Sequence, residues 1–220
     1  MIKVALVDDH QLFRKSLSML ISSYDDMEVV YDTHDGMAFL DKIGTNPIDV
    51  VLLDIQMPLI DGFEICKRLR TANADIKILI ISQLTSREAI HQIMECGANG
   101  FFTKNSDPEL LESAIKAVFI NDYYFDMELA SVIREAILWE KNSSIGAARS
   151  EKVTLTAREI EIVKLACKEM SSIEIGDKLC ISDRTVEKHR KRIMEKTGCR
   201  NFIGVVLFAL KNNAIRLEDI

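Results

Sequence analysis

Five short apolar runs, at 2–7, 27–31, 50–53, 76–81 and 100–102, alternate with stretches of helical period at 11–21, 37–43, 62–69, 86–96 and 108–119. Runs as continuously apolar as Val50-Val51-Leu52-Leu53 suit strands covered on both faces. Strands that alternate with helices pair in parallel through crossovers, and right-handed crossovers put helices on both sides. The pattern therefore predicts a doubly wound, five-stranded parallel α/β sheet, for which the flavodoxin-like 2-1-3-4-5 is the order taken from the common arrangements. Turn chemistry agrees: Asp61-Gly62 leads into one helix, Cys96-Gly97 closes another, and Asp107-Pro108 opens the last.

In such a sheet ligands bind outside the carboxyl ends of the strands. The first run ends in Asp8-Asp9 and the third in Asp54, and these two strands are neighbours in the predicted order. Three carboxylates brought together repel one another unless a cation lies among them, and Mg²⁺ suits an all-oxygen set. The fourth run ends at Ser82 and the fifth is followed by Lys104, so a hydroxyl and an ammonium join the acids. No Gly-x-Gly-x-x-Gly or Gly-x4-Gly-Lys-Ser/Thr loop follows the first strand, which argues against nucleotide binding.

Val-Asp-Asp-His at 7–10, Leu-Leu-Asp-Ile-Gln-Met-Pro at 52–58, Ile-Ser at 81–82 and Phe-Phe-Thr-Lys at 101–104 resemble the receiver domain of bacterial two-component response regulators. The resemblance implies that Asp54 accepts a phosphoryl group from the phosphohistidine of a sensor histidine kinase. It implies that Asp8, Asp9 and Asp54, with the backbone carbonyl of Gln56, hold Mg²⁺. Lys104 would pair with the phosphoryl oxygens, Ser82 would bond to one after transfer, and Phe101 would be the switch aromatic that then turns inward. Asn105 stands where many receivers have Pro, and Gln83 and Leu84 replace the small residues common after the switch hydroxyl.

Charge divides the chain. Residues 1–150 hold 14 Lys and Arg against 23 Asp and Glu, whereas residues 151–220 hold 14 against 11. An acidic front and a basic back suggest two domains with different partners, the second nucleic acid. Between them, Asp126 is expected to cap a packing helix over 127–140 that carries Trp139, and the small polar stretch 142–152 reads as linker. Thr156 and Glu159 then form a capping box for a helix to about 169. A short helix over 173–179, a turn at Cys180-Ile181-Ser182 and a helix over 183–196 ended by Thr197-Gly198 read as helix-turn-helix, and a last helix covers 202–212. Residues 183–200 hold seven basic groups against three acids.

Leu-Thr-Ala-Arg-Glu-Ile-Glu-Ile-Val from 155, Ser-Ile-Glu-Ile-Gly-Asp-Lys-Leu from 172 and Ile-Ser-Asp-Arg-Thr-Val-Glu-Lys-His from 181 resemble the four-helix LuxR/NarL-type DNA-binding domain. That makes 183–196 the recognition helix in the major groove of double-stranded DNA. Glu187, Lys188 and Lys191 take the positions that face base edges, and Arg184, Thr185, His189, Arg192 and Arg200 those nearer phosphates. The last helix dimerises such proteins, with Phe202, Val205, Val206 and Phe208 offered as its apolar face.

Five scattered cysteines without a Cys-x-x-Cys pair argue against a disulfide framework, and no apolar run reaches membrane-spanning length. The expected protein is a cytoplasmic response regulator: receiver over 1–122, linker helix and linker over 123–152, helix-turn-helix domain over 153–220. Phosphorylation would shift it towards an active homodimer and control transcription. Two alternatives differ in class: a phosphorylation-independent DNA-binding factor, and a Mg²⁺-dependent aspartyl-phosphate hydrolase. The second uses an Asp-x-Asp motif that the adjacent Asp8-Asp9 do not provide.

Overall fold

The computed structural model describes residues 1–45, 47–72, 75–83, 92, 96–125, 153–168 and 170–216. The helices expected over 86–96 (apart from Gln92 and Cys96) and 127–140, Trp139 and the linker over 142–152 lie outside them. The described residues form two compact units.

In the first, β1 (Ile2–Val7), β2 (Met27–Thr33), β3 (Val50–Leu53), β4 (Lys77–Ser82) and β5 (Gly100–Thr103) alternate with α1 (Gln11–Ile21), α2 (Gly36–Lys42), α3 (Gly62–Thr71) and, after β5, α4 (Leu110–Asn121). All strand pairs are parallel, as the alternation predicts, and the order is the expected β2-β1-β3-β4-β5. A sixth strand, β6 (Tyr124–Phe125), pairs with β5 and carries the sheet past the boundary expected at 122. Only two residues long, it has too little period to register in a sequence pattern.

Every residue of β3 and β5 is buried, which is what a central parallel strand requires. On one face Val4, Leu6, Val50, Leu52, Leu79, Ile81 and Phe102 pack with Ile21 of α1 and Leu111, Ile115 and Val118 of α4. Their alternate neighbours point to the opposite face, where Phe39 of α2 and Ile65 and Leu69 of α3 are fully buried. Asp35 and Asp61 cap α2 and α3, each accepting backbone N–H groups of the first turn. Gly62 is obligatory for a steric reason: a Cβ there would lie 2.2 Å from the Asp54 carbonyl oxygen. The loop that follows the strand-ending acid can thus fold flat against it.

The second unit holds α5 (Ala157–Ala166), α6 (Ser172–Leu179), α7 (Asp183–Thr197) and α8 (Phe202–Lys211). Capping boxes open α5 at Thr156/Glu159 and α6 at Ser171/Glu174. Between α6 and α7 the chain turns at Cys180, in the left-handed region with φ 54°, and Ser182 caps α7 by accepting from Thr185 N–H. Gly176 permits that turn, since a Cβ would stand 2.7 Å from the Ile181 carbonyl oxygen. Gly198, at φ 71°, ends α7.

Candidate functional site

At the carboxyl ends of β1 and β3, Asp8 and Asp54 face each other, both buried. Lys104, placed just beyond β5 by its N–H bond to the Ser82 carbonyl, reaches back between them. Its Nζ donates to Asp54 Oδ2 at 2.7 Å and lies 2.8 Å from Asp8 Oδ2, while the Phe13 ring of α1 stands 4.7 Å below. The remaining carboxylate oxygens are held by the backbone: His10 N–H donates to Asp8 Oδ1 (2.7 Å) and Gln56 N–H to Asp54 Oδ1 (3.2 Å). Ser82 is buried at the end of β4 and Phe101 within β5. A cleft of about 320 Å³ opens over the group, lined by His10, Leu12, Phe13, Gln56, Gln83 and Lys104.

The electrostatics are lopsided. Burial pushes the Asp54 carboxyl above its usual value and the Asp8 charge adds to this, while Lys104 and the Gln56 N–H pull it down. Burial works against the Lys104 ammonium, but the bonds to Asp54 and Asp8 outweigh it and hold its pKa above the ordinary lysine value. One cation serves two buried anions, with Asp9 at the rim as a third. A carboxylate made more basic by burial is a better nucleophile once ionised.

The donor set fits a hard divalent cation. Ligand atoms of Asp8, Asp9, His10 and Asp54 lie within 4.8 Å of one another, and Asp9 Oδ1 is buried without a hydrogen-bond donor. An orphaned carboxylate oxygen among acids is what a missing positive charge leaves.

Two residues here escaped the sequence reading. His10 enters the sequence pattern only as the last residue of Val-Asp-Asp-His, and its side chain makes no capping bond to the helix it precedes. Arg14 is buried, donates from Nη1 to the Asp8 carbonyl at 2.5 Å and lies 3.6 Å from Asp32. Its position on the apolar stripe of α1, three residues before Leu17, was the available signal. Phe101, expected to turn inward only after phosphoryl transfer, is already inside.

In the second unit α7 shows Arg184, Glu187, Lys188, Lys191 and Arg192 to solvent, with Arg200 exposed beyond it, and Thr185 and His189 half-buried. Arg190 belongs to the interior: at 2% exposure its guanidinium lies over the Phe202 ring (4.7 Å) and donates to Ser172 Oγ and Glu187 Oε1. Glu187 also accepts from Ser172 Oγ, so this base-facing candidate is tied back to α6. The Thr185 hydroxyl is shared with the cap Ser182. Three of the four residues offered for a dimer face are core: Phe202, Val205 and Val206 are buried against their own domain, and only Phe208 is partly exposed. The apolar period of α8 reported burial correctly but not what does the burying.

Comparison with known proteins covers both units. Residues 4–116 match the family described as response regulator receiver domain, and residues 153–209 that described as bacterial regulatory proteins, luxR family. The chain is 31% identical over 215 residues to the oxygen regulatory protein NreC of Staphylococcus epidermidis RP62A, covering 97% of this chain and 99% of that one. NreC of Staphylococcus aureus JH9 is likewise 31% identical over 214 residues, with the same coverage. Among solved structures, the response regulator ChrA of a heme-sensing two-component system aligns with 31% identity and a TM-score of 0.51 over 97% of this chain and 98% of that one. RcsB of Salmonella typhimurium, at 19% identity and a TM-score of 0.59 over 94% and 97%, shares the fold.

Proposed function

Because the chain belongs to the response regulators that join a receiver to a LuxR-type helix-turn-helix domain, and is a DNA-binding regulator of transcription, we propose that Asp54 is its phosphoacceptor and that the charge gained there controls binding by α7. The observation that carries the reading is the buried Asp8–Lys104–Asp54 arrangement at the ends of neighbouring strands.

The Asp54 carboxylate attacks phosphorus, an O–P bond forms, and the P–N bond of a kinase phosphohistidine breaks as the imidazole leaves. Transfer of this kind is loose and in-line, so the protein contributes position and positive charge rather than covalent chemistry. Lys104, already bound to Asp54, follows the incoming oxygens and neutralises one of them. Ser82, at the end of the adjacent strand, donates to another. Asp8, Asp9, Asp54 and the Gln56 carbonyl would hold Mg²⁺, whose chemistry here is charge neutralisation of the phosphoryl oxygens. Arg14 fixes the β1–α1 corner that carries two of these acids. Self-phosphorylation from small phosphodonors and self-dephosphorylation are the receiver's only reactions in this reading.

In the output domain Lys188 and Lys191 read base edges, and Arg184, His189, Arg192 and Arg200, with Thr185, contact phosphates. Glu187 reaches a base only by giving up part of its tie to Ser172 and Arg190. The active form is a homodimer, and its contact excludes Phe202, Val205 and Val206. Among the described residues no helix is long and apolar enough to cross a membrane, and a cytoplasmic site of action, where kinase and DNA are both accessible, completes the proposal. The receiver runs to about 125, and the DNA-binding domain begins at 153.

Incubation with acetyl phosphate and Mg²⁺ should add one phosphoryl group by intact mass, absent in Asp54→Ala. Labelling of that variant at the parent level would sink the assignment.

A further inference from the structure

His10 stands with the acids rather than on the helix it precedes. Its Nδ1 lies 3.0 Å from Asp9 Oδ1, 3.4 Å from Asp8 Oδ1 and 3.8 Å from Asp54 Oδ2. Ligands about 2.1 Å from an octahedral ion stand about 3.0 Å apart when cis and about 4.2 Å apart when trans. All three His10 distances fall in that window. The shortest is also within hydrogen-bonding reach, yet Asp9 Oδ1 accepts no hydrogen bond. Two polar atoms this close and not aligned on each other are aimed at shared space. Nor is the ring engaged elsewhere: it makes no capping bond to α1, and its side chain is 65% exposed at the mouth of the cleft.

We infer that His10 is a ligand of the receiver cation through Nδ1, turning an all-oxygen set into a nitrogen-containing one that favours Mn²⁺ and other borderline ions over Mg²⁺. This rests on the reading of Asp8, Asp9 and Asp54 as a cation site. Imidazole suits transition ions, whereas Mg²⁺ prefers oxygen and parts reluctantly with water. Drawing the four groups, now within 4.8 Å, onto one ion requires a closure of only about 0.6 Å in the widest pair. The flexible, exposed ring accommodates this without moving backbone. Because His10 is joined to Asp8 through its own N–H, a side-chain substitution leaves that bond in place. The site would thus tell two cations apart by one side chain, and Mn²⁺ would compete with Mg²⁺ at far lower concentration.

The test uses the full-length chain and its His10→Ala and Asp54→Asn variants. Free Mn²⁺ is followed by its continuous-wave electron paramagnetic resonance signal, and bound Mn²⁺ is examined by pulsed spectroscopy for ¹⁴N coupling. The parent should bind Mn²⁺ with imidazole nitrogen coupling. His10→Ala should lose the coupling and bind Mn²⁺ about tenfold more weakly, with a much smaller change for Mg²⁺ measured by competition. Mn²⁺ bound by the parent without nitrogen coupling, or coupling that survives in His10→Ala, would overturn the inference while leaving the cation site standing. Parent protein that binds neither ion, or binding untouched in Asp54→Asn, would overturn the cation site itself.

Discussion

Lys104→Met removes one ammonium and keeps a chain of similar length where the parent side chain is 7% exposed. It leaves Asp8 (5% exposed) and Asp54 (2%) facing each other after losing contacts of 2.8 and 2.7 Å. Stripping a buried anion of its counter-charge costs about 3–5 kcal/mol, since the group must either stay ionised away from water or take up a proton. For a unit of this size that corresponds to roughly 10–15 °C in the receiver transition. The pH dependence has a definite sign. The folded-state pKa of Asp54 is raised, chiefly by burial and also by Asp8. Its contribution to stability is therefore present below the unfolded value and is lost as pH rises through the folded one. Without Lys104 the folded value rises further, so the variant's deficit is small near about pH 4 and widens towards neutrality. Asp54→Asn added to Lys104→Met should recover at least half of the loss, and millimolar Mg²⁺ should recover part of it. Scanning calorimetry across that range, in EDTA and then in EDTA-free buffer with and without Mg²⁺, reads all of this. A loss below about 1 kcal/mol at neutral pH, or a deficit larger in acid, would refute the view that Lys104 holds a repulsive pair together.

Gly62→Ala should cost about 2–3 kcal/mol in urea titrations and slow acetyl phosphate labelling, because the new Cβ presses on the carbonyl of Asp54 itself. Leu59→Gly should instead stabilise by about 0.5–1 kcal/mol: at φ 70° and 97% exposure Leu59 pays a left-handed penalty and packs against nothing, less the entropy a glycine returns to the unfolded chain. Glu159 is held below the usual carboxylate range: burial opposes this, but Lys196 at 2.7 Å and the Thr156 groups prevail. Its stabilisation exists above the unfolded value and is lost as pH falls through the folded one. Glu159→Gln should therefore cost about 1.5 kcal/mol at neutral pH, a deficit that fades as pH falls through the folded value, followed by helical circular dichroism of the second unit. For DNA, Arg192→Ala should lower the salt slope of binding by about 1, whereas Lys188→Ala should reduce discrimination between target and random duplexes.

How far the sequence could be read depended on the kind of signal. Val50–Leu53 is apolar at four successive positions, and only a central strand buries all four, so strand, sheet and the ligand edge at its carboxyl end followed together. Asp8, Asp54, Ser82 and Lys104 were legible because topology alone carries them to one edge of the sheet. Side-chain direction was not. The period of α8 marks Val205 and Val206 as covered, and a partner molecule and the same domain cover a residue equally well. Arg190 sits in a basic run, yet its i, i+3 relation to Glu187 and the ring of Phe202 drew it inward. Such outcomes depend on which neighbour lies across a packing gap, and no local pattern encodes that.

The tie among Ser172, Glu187 and Arg190 limits how such a regulator can acquire new targets. Position 187 both faces the groove in the DNA-binding reading and anchors α7 to α6. A substitution that would read a different base there also loosens the helix that does the reading. New specificity is therefore more accessible through 188 and 191, whose side chains are exposed and make no such anchor. Change at 187 has to arrive with change at 172 or 190, and a combinatorial library over these three positions should show functional variants clustered in matched sets rather than scattered singly.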